Sequence, residues 1–286
     1  MRFSILGPLT LRDHSGRLVT PRPPKVRAIL ALLLLEPGRP VVAEQLIDQL
    51  WNFAPPRTAR ASLQVHISKL RAELADVEGE RPGAELLVTV PSGYLLDLGH
   101  AHQLDLLDFH ELLDRARAAQ DAGRLRHAAE SLAEALDLWT GPPLADLRGF
   151  TVLARAAERL ERTRFAAQER YVNLSLEIGN HSELISDITE LVRRNPLHEE
   201  LHESLMLALY RSGRVADSLS VYHKIRRELR SSLGLDPGPR LRKLFQLILV
   251  HDHRLAPGGE AHDTGHLELS ARRGNQGYRD DRGEVG

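Results

Sequence analysis

Apolar and polar positions along this chain follow two different regimes, and the change falls close to residue 98. Before it, short alternating runs are interleaved with short helical ones. Phe3, Ile5, Leu9 and Leu11 fit a pair of strands turned at Gly7-Pro8, with a second turn at Asp13 to Gly16. Pro21 to Pro24 is a rigid lead-in to a helix over about Lys25–Leu35, whose run of leucines requires burial on more than one side. Pro37-Gly38 ends it, a second helix covers about Ala43–Leu50, and a third follows Pro55-Pro56 over about Thr58–Leu74. Leu86 to Val90, a tip at Pro91-Ser92-Gly93, and Tyr94 to Leu96 read as a closing hairpin.

From about Leu104 to Val250 the pattern is helical throughout, punctuated at Gly123, Gly141-Pro142-Pro143, Gly179, Asn195-Pro196, Gly213 and Gly234 to Pro239. Segments behind Gly179 and Gly213 repeat with a 34-residue offset, His181, Ile185 and Leu191 matching Val215, Leu219 and Ile225. Paired helices at this period are the mark of tetratricopeptide-like stacking, which offers a concave surface for a partner rather than a cleft for chemistry. An earlier pair, Leu104–Ala119 and Leu125–Leu138, gathers around Leu112, Leu132, Leu136 and Trp139. Trp139, Tyr210 and Tyr222 read as core residues. The expected organisation is therefore mainly α: a winged helix-turn-helix with a short β-sheet and a wing hairpin over residues 1–98, an all-α tetratricopeptide-like domain over 99–254, and a glycine-rich disordered tail over 255–286.

The third helix carries the chemistry of interest. At 100° per residue, Ala59, Leu63, Ile67, Leu70 and Leu74 fall on one stripe facing the first two helices. The opposite face carries Thr58, Ala61, Val65 and Ser68, with Arg57, Ser62, Gln64 and Lys69 at its margins. Small residues at the centre let such a face approach a groove, an alanine or valine can touch a thymine methyl, and Gln, Ser or Lys reach base edges. Arg57, Arg60, Lys69 and Arg71 suit phosphate contacts, joined by Lys25 and Arg27 of the first helix. An amphipathic surface helix with solubilising cations has the same pattern. Charge distribution favours the DNA reading: residues 1–71 hold eleven Lys/Arg against four Asp/Glu, whereas the whole chain is near neutral at −1.

Several function classes are excluded or weakened. With no cysteine there is no disulfide framework or thiol nucleophile. The opening MRFSILGPLTL reads as a strand rather than a signal peptide, and the longest apolar run, Ile29 to Leu35, is too short to span a bilayer, so a soluble cytoplasmic protein without membrane contact is expected. There is no phosphate-binding glycine loop and no nucleophile elbow. His198-Glu199-Glu200-Leu201-His202 matches H-E-x-x-H, but it opens a solenoid helix just behind Asn195-Pro196 and reads as surface helix polarity. Neither an enzyme nor a metal or organic cofactor is expected.

Gly7-Pro8-Leu9, Pro24-Lys25 before the leucine-rich helix, Gln45 to Trp51, Pro55-Pro56, Thr58-Ala59-Arg60, Leu63 to Arg71 and Gly93 to Leu96, taken in order, resemble the Streptomyces antibiotic regulatory protein family. So do Trp139 to Leu147 and Gly234 to Pro239. The resemblance runs from about Arg2 to His251. It implies an OmpR-type winged helix followed by a bacterial transcriptional activation domain, with Thr58–Leu74 in the major groove, Leu86–Leu96 as a wing whose tip, including Ser92, lies near the minor groove, and Asn52–Arg57 facing RNA polymerase. Many members carry Asn and Thr where this chain has Ala61 and Ser62, and an Arg where it has Val90. No receiver domain precedes the winged helix, so phosphoryl control by that route is not expected. The resemblance implies an activator of a secondary-metabolite gene cluster that binds direct repeats in promoter DNA as two subunits side by side, a homodimer or DNA-assembled pair, and recruits RNA polymerase holoenzyme. A repressor or dual regulator with the same contacts, and an adaptor dominated by its solenoid, remain as alternatives.

Overall fold

The computed structural model describes residues 1–78 and 86–255. The glycine-rich tail expected over 255–286 lies, after Leu255, outside the described residues. Two compact units are present, Met1–Asn180 and a second beginning at His181.

In the first unit, strands β1 (Arg2–Ser4) and β2 (Thr10–Arg12) pair antiparallel, Phe3 opposite Leu11. Helices α1 (Pro24–Leu34), α2 (Ala43–Leu50) and α3 (Ala59–Glu78) follow, with the two-residue strand β3 (Val41–Val42) ahead of α2. Proline at the start of α1 costs nothing, since the first amides of a helix have no intrahelical partner. Eight of its eleven residues are buried, because α2 and α3 pack on α1 from one direction and α6 from another. That double burial is why its pattern is leucine-rich rather than amphipathic. The wing is β4 (Leu87–Val90) and β5 (Gly93–Leu96), with β5 also pairing with β3 to give the sheet order β3-β5-β4. A Cβ on Gly93 would stand 2.0 Å from the Val41 carbonyl oxygen, so only glycine allows this close pairing. Ala43 N–H donates to the Ser92 carbonyl at 3.0 Å, which ties the wing tip to the start of α2.

Packing does not pause at Leu98. Strand β6 (Gln103–Leu104) runs parallel to β1, and α4 (Asp105–Asp121), α5 (Leu125–Asp137) and the 27-residue α6 (Thr151–Glu177) continue the same unit. One apolar core runs from Phe3 and Leu30 through Phe109 to Trp139 and Leu153. Trp139 meets Phe109 edge to face at 5.3 Å, the core role expected of it. Two carboxylates stitch the N-terminal strands to the helices. Buried Asp105 accepts the Ile5 and Leu6 amides at 3.0 Å, and Asp146 accepts the Leu9 amide at 2.8 Å while pairing with Arg27. Leu144 N–H donates to the Gly7 carbonyl at 2.7 Å, and a Cβ on Gly7 would strike Thr140 Oγ1 at 2.0 Å. Thus Gly7-Pro8-Leu9 and Trp139 to Leu147, separate in sequence, are two halves of one interlock.

The second unit holds α7 (His181–Arg194), α8 (Glu199–Arg211), α9 (Val215–Leu233) and α10 (Pro239–Leu249). Helices α7 and α9 begin 34 residues apart, and their buried sets correspond: Leu184, Ile188 and Leu191 in one, Ser218, Tyr222 and Ile225 in the other. Helix α10 packs on α8 and α9, with Phe245 stacked on Tyr222 at 4.0 Å. The segment Gly234 to Pro239 is held by Asp236 against Arg230 at 2.8 Å and by the Gly238 amide on Glu199 at 2.6 Å. The architecture is a mainly α chain, with an N-terminal winged helix carrying short sheets followed by tetratricopeptide-like helices.

Candidate nucleic-acid interface

Helix α3 begins where Pro56 ends the preceding turn, its carbonyl accepting the Ala59 amide at 2.9 Å. The stripe Ala59, Leu63, Ile67, Leu70 and Leu74 is sealed against α1 and α2, none of the five more than 4% exposed. Holding that side down fixes the other side outward. Val65 is 65% exposed, an apolar side chain at the centre of that outward face. Thr58, Ala61, Gln64 and Ser68 are exposed around it, and Ser62 is half-buried at the margin.

The expected cations divide into distinct situations. Arg57 and Lys69 project from α3 and its approach as exposed side chains. Arg60 is exposed too but pairs with Glu44 of α2, a solvent-facing ion pair of small net worth that a competing phosphate can displace. Lys25, at the start of α1, sits 3.8 Å from the centroid of the Trp51 ring, a cation–π contact that holds its ammonium in place. Half-buried His66 lies among these groups. Burial first, then the charges of Lys25 and Lys69, lower its pKa, so one basic patch joins α1 and α3 around a neutral imidazole. Neither His66 nor Trp51 stands out in the sequence as a site residue, because each sits on the flank of an apolar face.

Arg71 is situated differently from its sequence expectation as a phosphate contact. Its guanidinium donates to the Leu87 carbonyl from Nε at 3.2 Å and from Nη2 at 3.1 Å, and also to Thr89 Oγ1. It braces the helix against strand β4 of the wing. Ser92 is exposed at the hairpin tip, beside Pro91.

Comparisons with known families cover both parts of the chain. Residues 19–96 match the C-terminal domain of transcriptional regulatory proteins, and residues 104–249 match the bacterial transcriptional activator domain. The chain belongs to the Streptomyces antibiotic regulatory protein family of DNA-binding transcriptional regulators. It is 34% identical over 255 residues to the regulatory protein DnrI of Streptomyces peucetius, covering 88% of this chain and 93% of that one. It is 41% identical over 257 residues to the regulatory protein AfsR of Streptomyces coelicolor, spanning 90% of this chain but only 25% of that longer protein. Among solved structures, Mycobacterium tuberculosis EmbR in complex with a low-affinity phosphopeptide superposes with a TM-score of 0.78 at 34% identity, over 87% of this chain and 65% of that one.

The H-E-x-x-H string of this family member belongs to the fold and only in part to the surface. Contrary to the sequence reading, His202 is buried, and its Nδ1 lies 3.1 Å from the His198 carbonyl one turn back. Burial lowers its pKa, the first of several causes, and Glu199 is spent on the Gly238 amide. Of the five residues in the pattern, Glu200 alone is exposed. Helical spacing shows which side chains share a face but not which of two flanks is covered, so burial of His202 was out of reach of the pattern. Among the described residues, no helix is long and apolar enough to cross a membrane.

Proposed function

We propose that the protein is a sequence-specific activator that binds direct repeats in a promoter through α3 and recruits RNA polymerase to a secondary-metabolite gene cluster. Residues 1–98 act as the DNA-binding part and residues 99–254 as the activation part. The observation that carries this reading is the outward face of α3: apolar Val65 exposed between Ala61, Gln64 and Ser68, with cations on both sides. In the proposed complex Val65 and Ala61 meet thymine methyls, while Gln64, Ser62 and Ser68 bond to base edges. Arg57, Lys69, Lys25 and Arg60, the last released from Glu44, contact backbone phosphates, and Thr58 offers a hydroxyl to a phosphate at the start of the helix. Ser92 at the tip reaches the flanking minor groove, with Arg71 holding the wing at its working angle.

Two copies side by side on adjacent repeats read a longer site than one, and the loop Asn52–Arg57 then faces the polymerase. Support comes from family membership and from DnrI, a regulatory protein matched over nearly its whole length. Footprinting of the purified protein on the promoters of its own gene neighbourhood tests the reading. Protection of two spaced repeats, together with protein-dependent transcription from the same fragment, is the expected result. Uniform protection without preferred sites, or bound DNA with lowered transcription, would contradict it.

A further inference from the structure

The loop joining α2 to α3 is built in an unusual way. Asn52 and Phe53 are consecutive non-glycine residues in the left-handed region, with φ of 49° and 66°. Residues with a Cβ disfavour this conformation, asparagine less than others, so surrounding contacts must hold it. Main-chain bonds supply one part: Phe53 N–H donates to the Asp48 carbonyl at 2.7 Å and Ala54 N–H to the Trp51 carbonyl at 3.0 Å. The other part comes from ninety-nine residues further along the chain. Asn52 Oδ1 accepts the Thr151 amide at 2.9 Å, and Asn52 Nδ2 donates to the Gly149 carbonyl at 3.3 Å. One side-chain amide thus spends its acceptor and a donor on the start of α6, the longest helix among the described residues. Thr151 N–H is an open helix-start donor that needs such an acceptor. The result is that Phe53, a large apolar side chain, is held out into solvent at 63% exposure, separated from Pro55-Pro56 by Ala54 alone.

We infer that Asn52 is a positioning residue for activation: it fixes the α2–α3 loop to the N-terminus of α6 so that Phe53 is presented to RNA polymerase. Phe53 makes the contact, and Asn52 acts through it. The inference rests on the proposed reading of this loop as polymerase-facing. It goes beyond that reading by making the helical part of the first unit a required support of the loop, independent of the DNA-reading face of α3. A residue that served stability alone would lose DNA binding and transcription together when changed. A positioning residue separates them.

The test uses the full chain, its footprinted promoter and purified RNA polymerase, with three readouts: DNA affinity, transcript yield at saturating protein, and hydrogen exchange at the amides of Phe53, Ala54 and Arg57. Asn52→Ala removes both side-chain bonds. Asn52→Gly removes them too, yet relieves the left-handed strain, so it remains informative if the alanine variant folds poorly. Both are expected to keep DNA affinity within about twofold, to lower transcript yield about fivefold, the scale of one or two lost hydrogen bonds, and to speed loop exchange. Asn52→Asp keeps the Oδ1 acceptor at a helix start, where negative charge is favoured, and is expected to retain most of the yield. Phe53→Ala is expected to lower the yield with DNA affinity unchanged. If Phe53→Ala lowers transcription but Asn52→Gly speeds loop exchange without lowering it, the positioning role is overturned while the polymerase-facing loop stands. If neither Phe53→Ala nor Asn52→Gly changes transcription from bound promoter, the reading of the loop fails and the inference with it.

Discussion

Arg71 and Lys69 lie two positions apart on α3, carry the same charge, and should fail in different ways when truncated. Lys69 is exposed beside the outward face of α3, so on the proposed reading Lys69→Ala removes one phosphate contact and little else. The salt dependence of binding, plotted as log K against log salt, should then shallow by about 0.9. Affinity should fall about fivefold on every duplex, the worth of one exposed charge pair near 1 kcal/mol. Arg71→Ala instead removes the bonds to the Leu87 carbonyl and to Thr89. Because the guanidinium is only half-buried, the set is discounted to about 1 kcal/mol of stability, lost mainly from the attachment of the wing. The salt slope should change much less than for Lys69→Ala, while hydrogen exchange along β4 should accelerate. Fluorescence anisotropy over a salt series, on the footprinted site and a scrambled duplex, measures the first quantity; exchange mass spectrometry measures the second. If Arg71→Ala lowers the slope as much as Lys69→Ala and leaves exchange of β4 unchanged, Arg71 is a phosphate contact and the bracing argument is wrong.

Two further outcomes follow from the fold that carries this face. Burial pushes the Asp105 carboxyl from 3.8 up to about 6 against the opposing pull of the Ile5 and Leu6 amides, so the folded state holds more protons between those values. Its contribution is therefore most favourable below about pH 4 and declines as pH rises through about 6, by roughly 3 kcal/mol in total, and Asp105→Asn should flatten that decline in urea melts taken across this range. Gly93→Ala forces a methyl onto the Val41 carbonyl and should cost about 1–3 kcal/mol, seen as a lowered melting temperature with weakened DNA binding; an unchanged melting temperature would show that β3 and β5 are not packed as described.

Much of this arrangement was legible in the sequence, for physical reasons that can be named. Helices α1, α2 and α3 begin within a residue of where proline punctuation and apolar spacing put them, because Pro24 and Pro56 leave the chain few ways to start a helix. The exposed position of Val65 and Ser68 follows from the opposing stripe. Strands β3 and β6 were not legible, since two residues carry no period and their pairing depends on Gly93 and Arg2, distant in the chain. For the same reason the helix alone suggests a phosphate contact for Arg71, whereas its partners Leu87 and Thr89 lie on another element. Nor does Asn52 differ in the sequence from any loop asparagine; only the arrival of Thr151 beside it gives it a role.

The central claim is that one face of α3 distinguishes DNA sequences. Selection of binding sites from a randomised duplex pool by the full chain, run in parallel for the unaltered protein and for Gln64→Ala, Val65→Ala and Ser68→Ala, addresses it directly. The expected result is a defined repeat for the unaltered protein, with each variant relaxing preference at one or two positions, by about 1–3 kcal/mol per lost base contact, while affinity for unrelated DNA stays the same. Four identical preference profiles would mean that the exposed valine and its polar neighbours do not read bases.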